Sequence, residues 1–247
     1  MRKLKTIFWD VDGTLADTEM QGHRIAFNQA FEKLKLNWHW DVPTYKRLLQ
    51  IQGGKSRLKY YSKLKGIRLD DDIIKLLHNI KQSYYEQAIN TGKVPLRIGV
   101  KNLVEELQRL EVNQWIVTTS GKRAVQALIR VSFENNSPFD GLTTNEDVLN
   151  HKPHPDAYIK AINDSGAKAE NCIAIEDSVQ GLMSANQASL PCVLTLSPWN
   201  QLFTSKMKKA VAVLNHLGDP KINCTVFHGP CCINQRVTPE YIENLIS

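Results

Sequence analysis

Three short apolar runs in this chain end in side chains suited to handling a phosphate ester. Thr6-Ile7-Phe8-Trp9 leads into Asp10-Val11-Asp12-Gly13-Thr14. Gln114-Trp115-Ile116-Val117 leads into Thr118-Thr119-Ser120-Gly121, and Cys172-Ile173-Ala174-Ile175 into Glu176-Asp177-Ser178. A cation, Lys152, stands in the segment Lys152-Pro153-His154-Pro155. Phosphoryl transfer needs an in-line nucleophile, positive charge against the phosphate oxygens, and hydrogen-bond donors for those that do not react. A carboxylate serves as nucleophile by forming an aspartyl-phosphate, and Asp10 at a strand tip fits that task. A bare carboxylate repels an anionic ester. Mg²⁺ held by hard oxygen ligands such as Asp10 and Asp177 removes that obstacle, and Lys152 adds a second positive charge. Thr118 and the amides of Thr119 and Ser120, at the start of a helix, suit phosphate oxygens. Asp12 lies two residues beyond Asp10, on the same face of an extended chain. It is placed to protonate a leaving alkoxide and then to activate water, and its carbonyl is a further metal ligand. Gly13 lets the chain turn away at once.

These segments need a scaffold that brings strand ends together. Between Pro95 and Leu196 strands alternate with helices: helices over 100–110, 122–131, 155–165 and 179–188, strands over 114–118, 172–176 and 191–196. That alternation predicts right-handed crossovers and a parallel sheet. Ligands bind such sheets beyond the carboxyl ends of the strands. Residues 19–95 read differently. Ala26, Phe27, Ala30, Phe31 and Leu34 form one helical stripe, Pro43 opens a short helix, Leu58, Tyr61 and Leu64 mark another, and a fourth runs from about Asp70 to Ala88. The expected architecture is therefore an α/β, Rossmann-like parallel sheet core (1–18 and 96–247) with an inserted all-helical cap domain (19–95). The tail beyond Ser197 suggests an edge strand near 210–214 and a closing helix from Pro239.

Composition narrows the function. Hydrophobic residues make up 42% of the 247 and charged residues 23%, an ordinary globular balance. The apolar runs are too short to span a bilayer, and Asp10 and Asp12 interrupt the N-terminal run before it could serve as a secretory signal. The expectation is a cytoplasmic protein without membrane attachment. The net charge of +6 is spread along the chain. Without a zinc-finger or RNP-type pattern, it suits an anionic small substrate better than nucleic acid. The five cysteines have no CxxC spacing and do not suggest a disulfide framework or a zinc site.

The order D-x-D-G-T, strand ending in Thr, Lys-Pro, Glu-Asp resembles the haloacid dehalogenase superfamily, whose four motifs lie in register from Asp10 to Ser178. The resemblance implies a Rossmann-like core with a helical cap inserted after the first motif. It also implies roles: Asp10 as nucleophile, Asp12 as acid and base, Thr118 as phosphate ligand, Lys152 as charge stabiliser, Asp177 as metal ligand, and Glu176 supporting the metal or the lysine. The cap segments Asp17-Thr18-Glu19, His23 to Asn28, Trp38-His39-Trp40-Asp41 and Gly53-Gly54-Lys55-Ser56-Arg57 resemble the CbbY branch, which includes phosphatases of xylulose-1,5-bisphosphate. Relative to related caps, His23 comes one residue late, after an inserted Gly22.

A sugar bisphosphate needs a site for its second phosphate. Lys55 and Arg57, following Gly54 at a helix start, have the right chemistry, and Glu19 and His23 can bond sugar hydroxyls. The expected activity is that of a monomeric, Mg²⁺-dependent phosphoric monoester hydrolase acting on a sugar phosphate or bisphosphate. The alternative is a β-phosphoglucomutase-like phosphosugar mutase, which uses the same aspartyl-phosphate but must exclude water. Thr14 after Gly13 resembles the phosphatases more than the mutases. Trp38 and Trp40 read as cap packing rather than sugar stacking.

Overall fold

The computed structural model describes residues 3–51, 53–197 and 204–246. The chain forms two compact units, Met1–Asp17 with Pro95–Ser247, and Thr18–Val94. Among the described residues no helix is long and apolar enough to cross a membrane.

The first unit is built on a seven-stranded sheet: β1 (Thr6–Trp9), β2 (Asn113–Val117), β3 (Gly141–Thr143), β4 (Cys172–Glu176), β5 (Cys192–Thr195), β6 (Ala212–Leu214) and β7 (Val226–His228). Their order is β3-β2-β1-β4-β5-β6-β7. All neighbours are parallel except β6 and β7. β1, β4 and β5 are buried along their whole length, which explains why they read as unbroken apolar runs rather than alternating ones. The register pairs Trp9 with Ile116 on one side and with Ile175 on the other. Asp10, Thr118 and Glu176 therefore leave the sheet along one rim.

The strands β3 and β7 are additions to the sequence reading. Each is three residues long, too short to show a period. β7 also makes the far edge antiparallel, so the sheet is not parallel throughout. The crossover segments are helical: α5 (Val100–Arg109), α6 (Lys122–Ser132), α7 (Asp156–Ser165) and α8 (Val179–Gln187), with α9 (Pro239–Leu245) closing the chain. Ser178 caps α8 by accepting from Gly181 N at 3.0 Å.

The second unit holds α1 (Arg24–Lys33), α2 (Val42–Leu48), α3 (Gly54–Leu64) and α4 (Asp71–Asn90). Asp41 and Asp70 cap α2 and α4 through their side chains. The core is aromatic: Phe27, Phe31, Trp38, Trp40, Tyr45 and Tyr61 touch ring to ring. Asn28 holds both the amide and the carbonyl of Trp40, at 2.8 and 3.0 Å. Both tryptophans are buried in this cluster, as packing rather than as exposed platforms.

Ahead of α1, Thr18–His23 forms a turn of π-helix. Such a turn bonds i to i+5, and Gly22 lies within it. A Cβ on Gly22 would lie 2.7 Å from the Tyr85 ring, so the turn carries here a residue small enough to sit against α4.

Candidate active site

Asp10 follows β1 directly, and its amide donates to Ile175 O at 3.0 Å, which ties the strand tip to β4. The Lys152 ammonium donates to Asp10 Oδ1 at 2.8 Å, to Val117 O at 2.8 Å and to Glu176 Oε1 at 2.6 Å. Three acceptors match its three protons. Its side chain is 6% exposed. Burial alone would lower its pKa, but Asp10 and Glu176 more than offset this and hold it up, so the cation persists. The lysine also lies 5.2 Å from the centre of the Tyr158 ring, and Tyr158 donates to Glu176 Oε1 at 2.7 Å.

Asp10, Glu176 and Asp177 each present an oxygen within 4.8 Å of the others. Burial lifts the Glu176 carboxyl to about 7, with Lys152 opposing the shift and Asp10 adding to it. Burial, then Asp10 and Glu176, push Asp177 well above the usual carboxylate range. These groups repel one another, and a divalent cation would relieve that repulsion. The donor set, all carboxylate oxygen, fits a hard ion of the Mg²⁺ or Ca²⁺ kind better than zinc or copper.

Asp12 is not part of this triad. Its Oδ2 accepts a short hydrogen bond from the Ser120 hydroxyl. Thr118 is buried, its Oγ1 accepting from Ser120 N at 3.1 Å and its amide donating to Thr143 O at 2.9 Å. Thr119 is exposed. The segment 118–120 is therefore an organised turn whose serine reaches the Asp12 carboxylate.

Within the helical unit the candidate residues fall into two groups. Glu19 accepts a short hydrogen bond from Tyr45 OH, and Arg57 lies 4.0 Å from Glu19, 3.4 Å from Tyr45 OH and 2.9 Å from Ile51 O. His23 Nδ1 lies 2.8 Å from Lys81 Nζ, with its ring against Tyr85. Burial, then Lys81, Arg57 and His78, lower the His23 pKa well below 6.5, so the imidazole is neutral and accepts from the ammonium. Lys55 is exposed, and Gly54 packs its backbone against Phe27 and His78.

Two contributors escaped the sequence reading. Tyr158 was legible only as part of the apolar face of α7. Gly181, inside α8, lies so close to Glu176 that any Cβ there would overlap the carboxylate. Gly181→Ala is expected to displace Glu176 and destabilise the fold by about 1–3 kcal/mol, read as a lower urea midpoint together with lost turnover. A variant with wild-type midpoint and turnover would refute this packing argument.

The helical unit carries its own pH response. Burial, then Lys81 and Lys55, lower the His78 pKa to about 4. Between that value and the unfolded pKa of about 6.5 the unfolded chain binds more protons. Stability from this group is thus complete above pH 6.5 and lost as pH falls towards 4. His78→Asn should flatten the fall of Tm across this interval. An unchanged slope would mean that His78 is not held neutral.

Residues 7–195 match the haloacid dehalogenase-like hydrolase family. The protein CbbY encoded on a plasmid of Cupriavidus necator is 35% identical over 225 residues, covering 88% of this chain and 87% of the relative. The crystal structure of CbbY from Rhodobacter sphaeroides in complex with phosphate superposes with a TM-score of 0.75 at 31% identity, covering 86% of this chain and 94% of that one. An Asp-to-Asn variant of the same protein in complex with xylulose-1,5-bisphosphate superposes with a TM-score of 0.74 at 30% identity and the same coverage. With these likenesses added to its carboxylate-rimmed sheet, the chain belongs to the haloacid dehalogenase-like hydrolases, on their CbbY-like phosphatase branch.

Proposed function

We propose that this protein is a Mg²⁺-dependent sugar-phosphate phosphatase that works through an aspartyl-phosphate on Asp10, with xylulose-1,5-bisphosphate as its foremost candidate substrate. The observation that carries the reading is the contact of one buried ammonium, Lys152, with Asp10 and Glu176 beside Asp177. Asp10 attacks phosphorus in line while Lys152 fixes its carboxylate through Oδ1. Asp12, oriented by Ser120, gives its proton to the leaving sugar oxygen and later takes one from the water that cleaves the acyl phosphate. The Thr118 hydroxyl and the Thr119 amide donate to the oxygens that do not react, since the amides of Thr118 and Ser120 already bond Thr143 O and Thr118 Oγ1. Asp10, Asp177, Glu176 and the Asp12 carbonyl would hold Mg²⁺, which supplies charge neutralisation for the incoming ester.

The choice of substrate is supported by the CbbY relative that binds xylulose-1,5-bisphosphate. Glu19, His23, Gly54, Lys55 and Arg57 are proposed to recognise the sugar and its second phosphate. Replacing Lys55 or Arg57 by Ala is then expected to raise KM about tenfold or more for a bisphosphate, the scale of a lost charge-assisted hydrogen bond, and far less for a monophosphate. Equal effects on both would count against the distal site.

The overall test is phosphate release across sugar mono- and bisphosphates, xylulose- and ribulose-1,5-bisphosphate among them, with and without Mg²⁺. Free phosphate is the predicted product. An isomerised sugar phosphate without phosphate release would instead establish a mutase.

A further inference from the structure

Arg97 is used by nothing described so far, yet its guanidinium gathers five acceptors from three separate segments of the core unit. Nη1 donates to Gly13 O in a short bond, to Thr195 O at 3.0 Å and to Thr195 Oγ1 at 2.8 Å. Nη2 donates to Leu196 O and to Asn215 O, both at 2.8 Å. Its own amide donates to Leu15 O at 2.9 Å. The side chain thus joins the turn that follows Asp10 and Asp12 to the ends of β5 and β6. A planar fork of donors is suited to this, whereas an ammonium offers three protons from one point.

The joined segments flank Asp177. Gly13 has a φ of +87°, and a Cβ there would overlap the Asp177 carboxylate and lie 3.4 Å from Ser197 Cβ. The Ser197 side chain stands close enough to the same carboxylate to favour its charged form. Arg97 therefore grips the backbone on both sides of Asp177, at Gly13 and at Thr195–Leu196, and its charge acts on that carboxylate from close by. Asp10 lies three residues before Gly13. The separation of Asp10 from Asp177 depends on how these strands' exit loops are held, and most of the loop carbonyls named above answer to one side chain.

We infer that Arg97 is a positioning residue that locks the Asp10–Gly13 turn against the Asp177 wall, so that the carboxylates of the divalent-cation site are already in place before the cation arrives. The inference rests on the phosphatase reading given above. It assigns Arg97 no contact with substrate and no proton transfer. Residues that orient metal ligands typically cost about 10- to 100-fold in metal affinity or activity when removed. Preorganisation predicts that loss in cation binding and kcat, with the KM for the ester little changed, because the donors that bind substrate stay in place.

The experiment titrates Mg²⁺ calorimetrically into wild type, Arg97→Lys and Arg97→Met without substrate, with folding checked by circular dichroism, and then measures kcat and KM at saturating Mg²⁺. Arg97→Met is expected to bind Mg²⁺ about 10- to 100-fold more weakly and to lose kcat on a similar scale, with Arg97→Lys between it and wild type. A merely structural role would lower Tm while leaving the Mg²⁺ affinity and kcat of the folded molecules at wild-type values, and that result overturns the inference. If Arg97→Met does not fold, Arg97→Lys decides by the same criterion. A wild-type protein that binds no Mg²⁺ would sink the metal-dependent phosphatase reading and this inference together. Normal wild-type binding with unaffected variants would sink the inference alone.

Discussion

Asp10→Asn is expected to lower kcat by about four orders of magnitude or more, the scale on which loss of a covalent nucleophile acts, without unfolding the protein. Asparagine keeps the shape of the side chain but cannot form the acyl phosphate. The fold should tolerate it because Lys152 retains Val117 O and Glu176 as acceptors. Asp10 also adds to the upward shift of Glu176 and of Asp177. Removing its charge relieves both groups, so the metal-free variant should melt no lower than wild type above pH 7. Turnover within a hundredfold of wild type, measured as phosphate release on purified protein, would remove Asp10 from the nucleophile's role.

Lys152→Met is the second large effect, and it should strike stability and activity together. Taking away the ammonium leaves Asp10 and Glu176 facing each other in a buried place, and breaking such a pair costs about 3–5 kcal/mol. The loss of positive charge beside the reacting oxygens is expected to cut kcat by about 10²- to 10³-fold. The destabilisation should depend on pH with a definite sign. Glu176 already has its folded pKa raised to about 7, and Lys152 works against that rise. Without the lysine the folded state holds the Glu176 proton more tightly still, while the unfolded carboxyl titrates near its ordinary value of about 4.3. Above that value the folded state binds more protons, so stability is lost as pH rises. Urea unfolding should therefore show a larger deficit at pH 8 than at pH 5.5. An equal deficit at both would mean that Glu176 is not the group left exposed to the imbalance.

Much of the site was legible because its chemistry sits at the ends of short apolar strands. A buried strand such as Ile7-Phe8-Trp9 has no use for two acids at its tip, so Asp10 and Asp12 announced themselves. The same holds for Glu176 and Asp177 after the run from Cys172 to Ile175. The helical insertion was legible from its 3.6-residue stripe, from Pro43 at a helix start and from the acidic opening of the long helix near Asp70; the side-chain caps of Asp41 and Asp70 came with the structure. What escaped was whatever depends on register or on distance through space. β3 and β7 are three residues each, below the length at which a period can be counted. The π-helical turn at Thr18–His23 is a matter of backbone bonding that no side-chain pattern records. Tyr158 reads as one more apolar position on α7, since nothing local says that its hydroxyl meets Glu176. Arg97 has no local signature, because its five acceptors come from residues 13, 195, 196 and 215. Gly181 is likewise marked only by the carboxylate that crosses above it.

The most direct check is to quench the enzyme in acid during turnover of a sugar bisphosphate with Mg²⁺ and map the phosphorylated peptide by mass spectrometry. The mechanism predicts one added phosphoryl group on the peptide containing Asp10, absent from Asp10→Asn and cleaved by hydroxylamine as an acyl phosphate must be. A phosphoryl group found on another residue, or turnover with none trapped on the wild-type enzyme under conditions that preserve acyl phosphates, would contradict it.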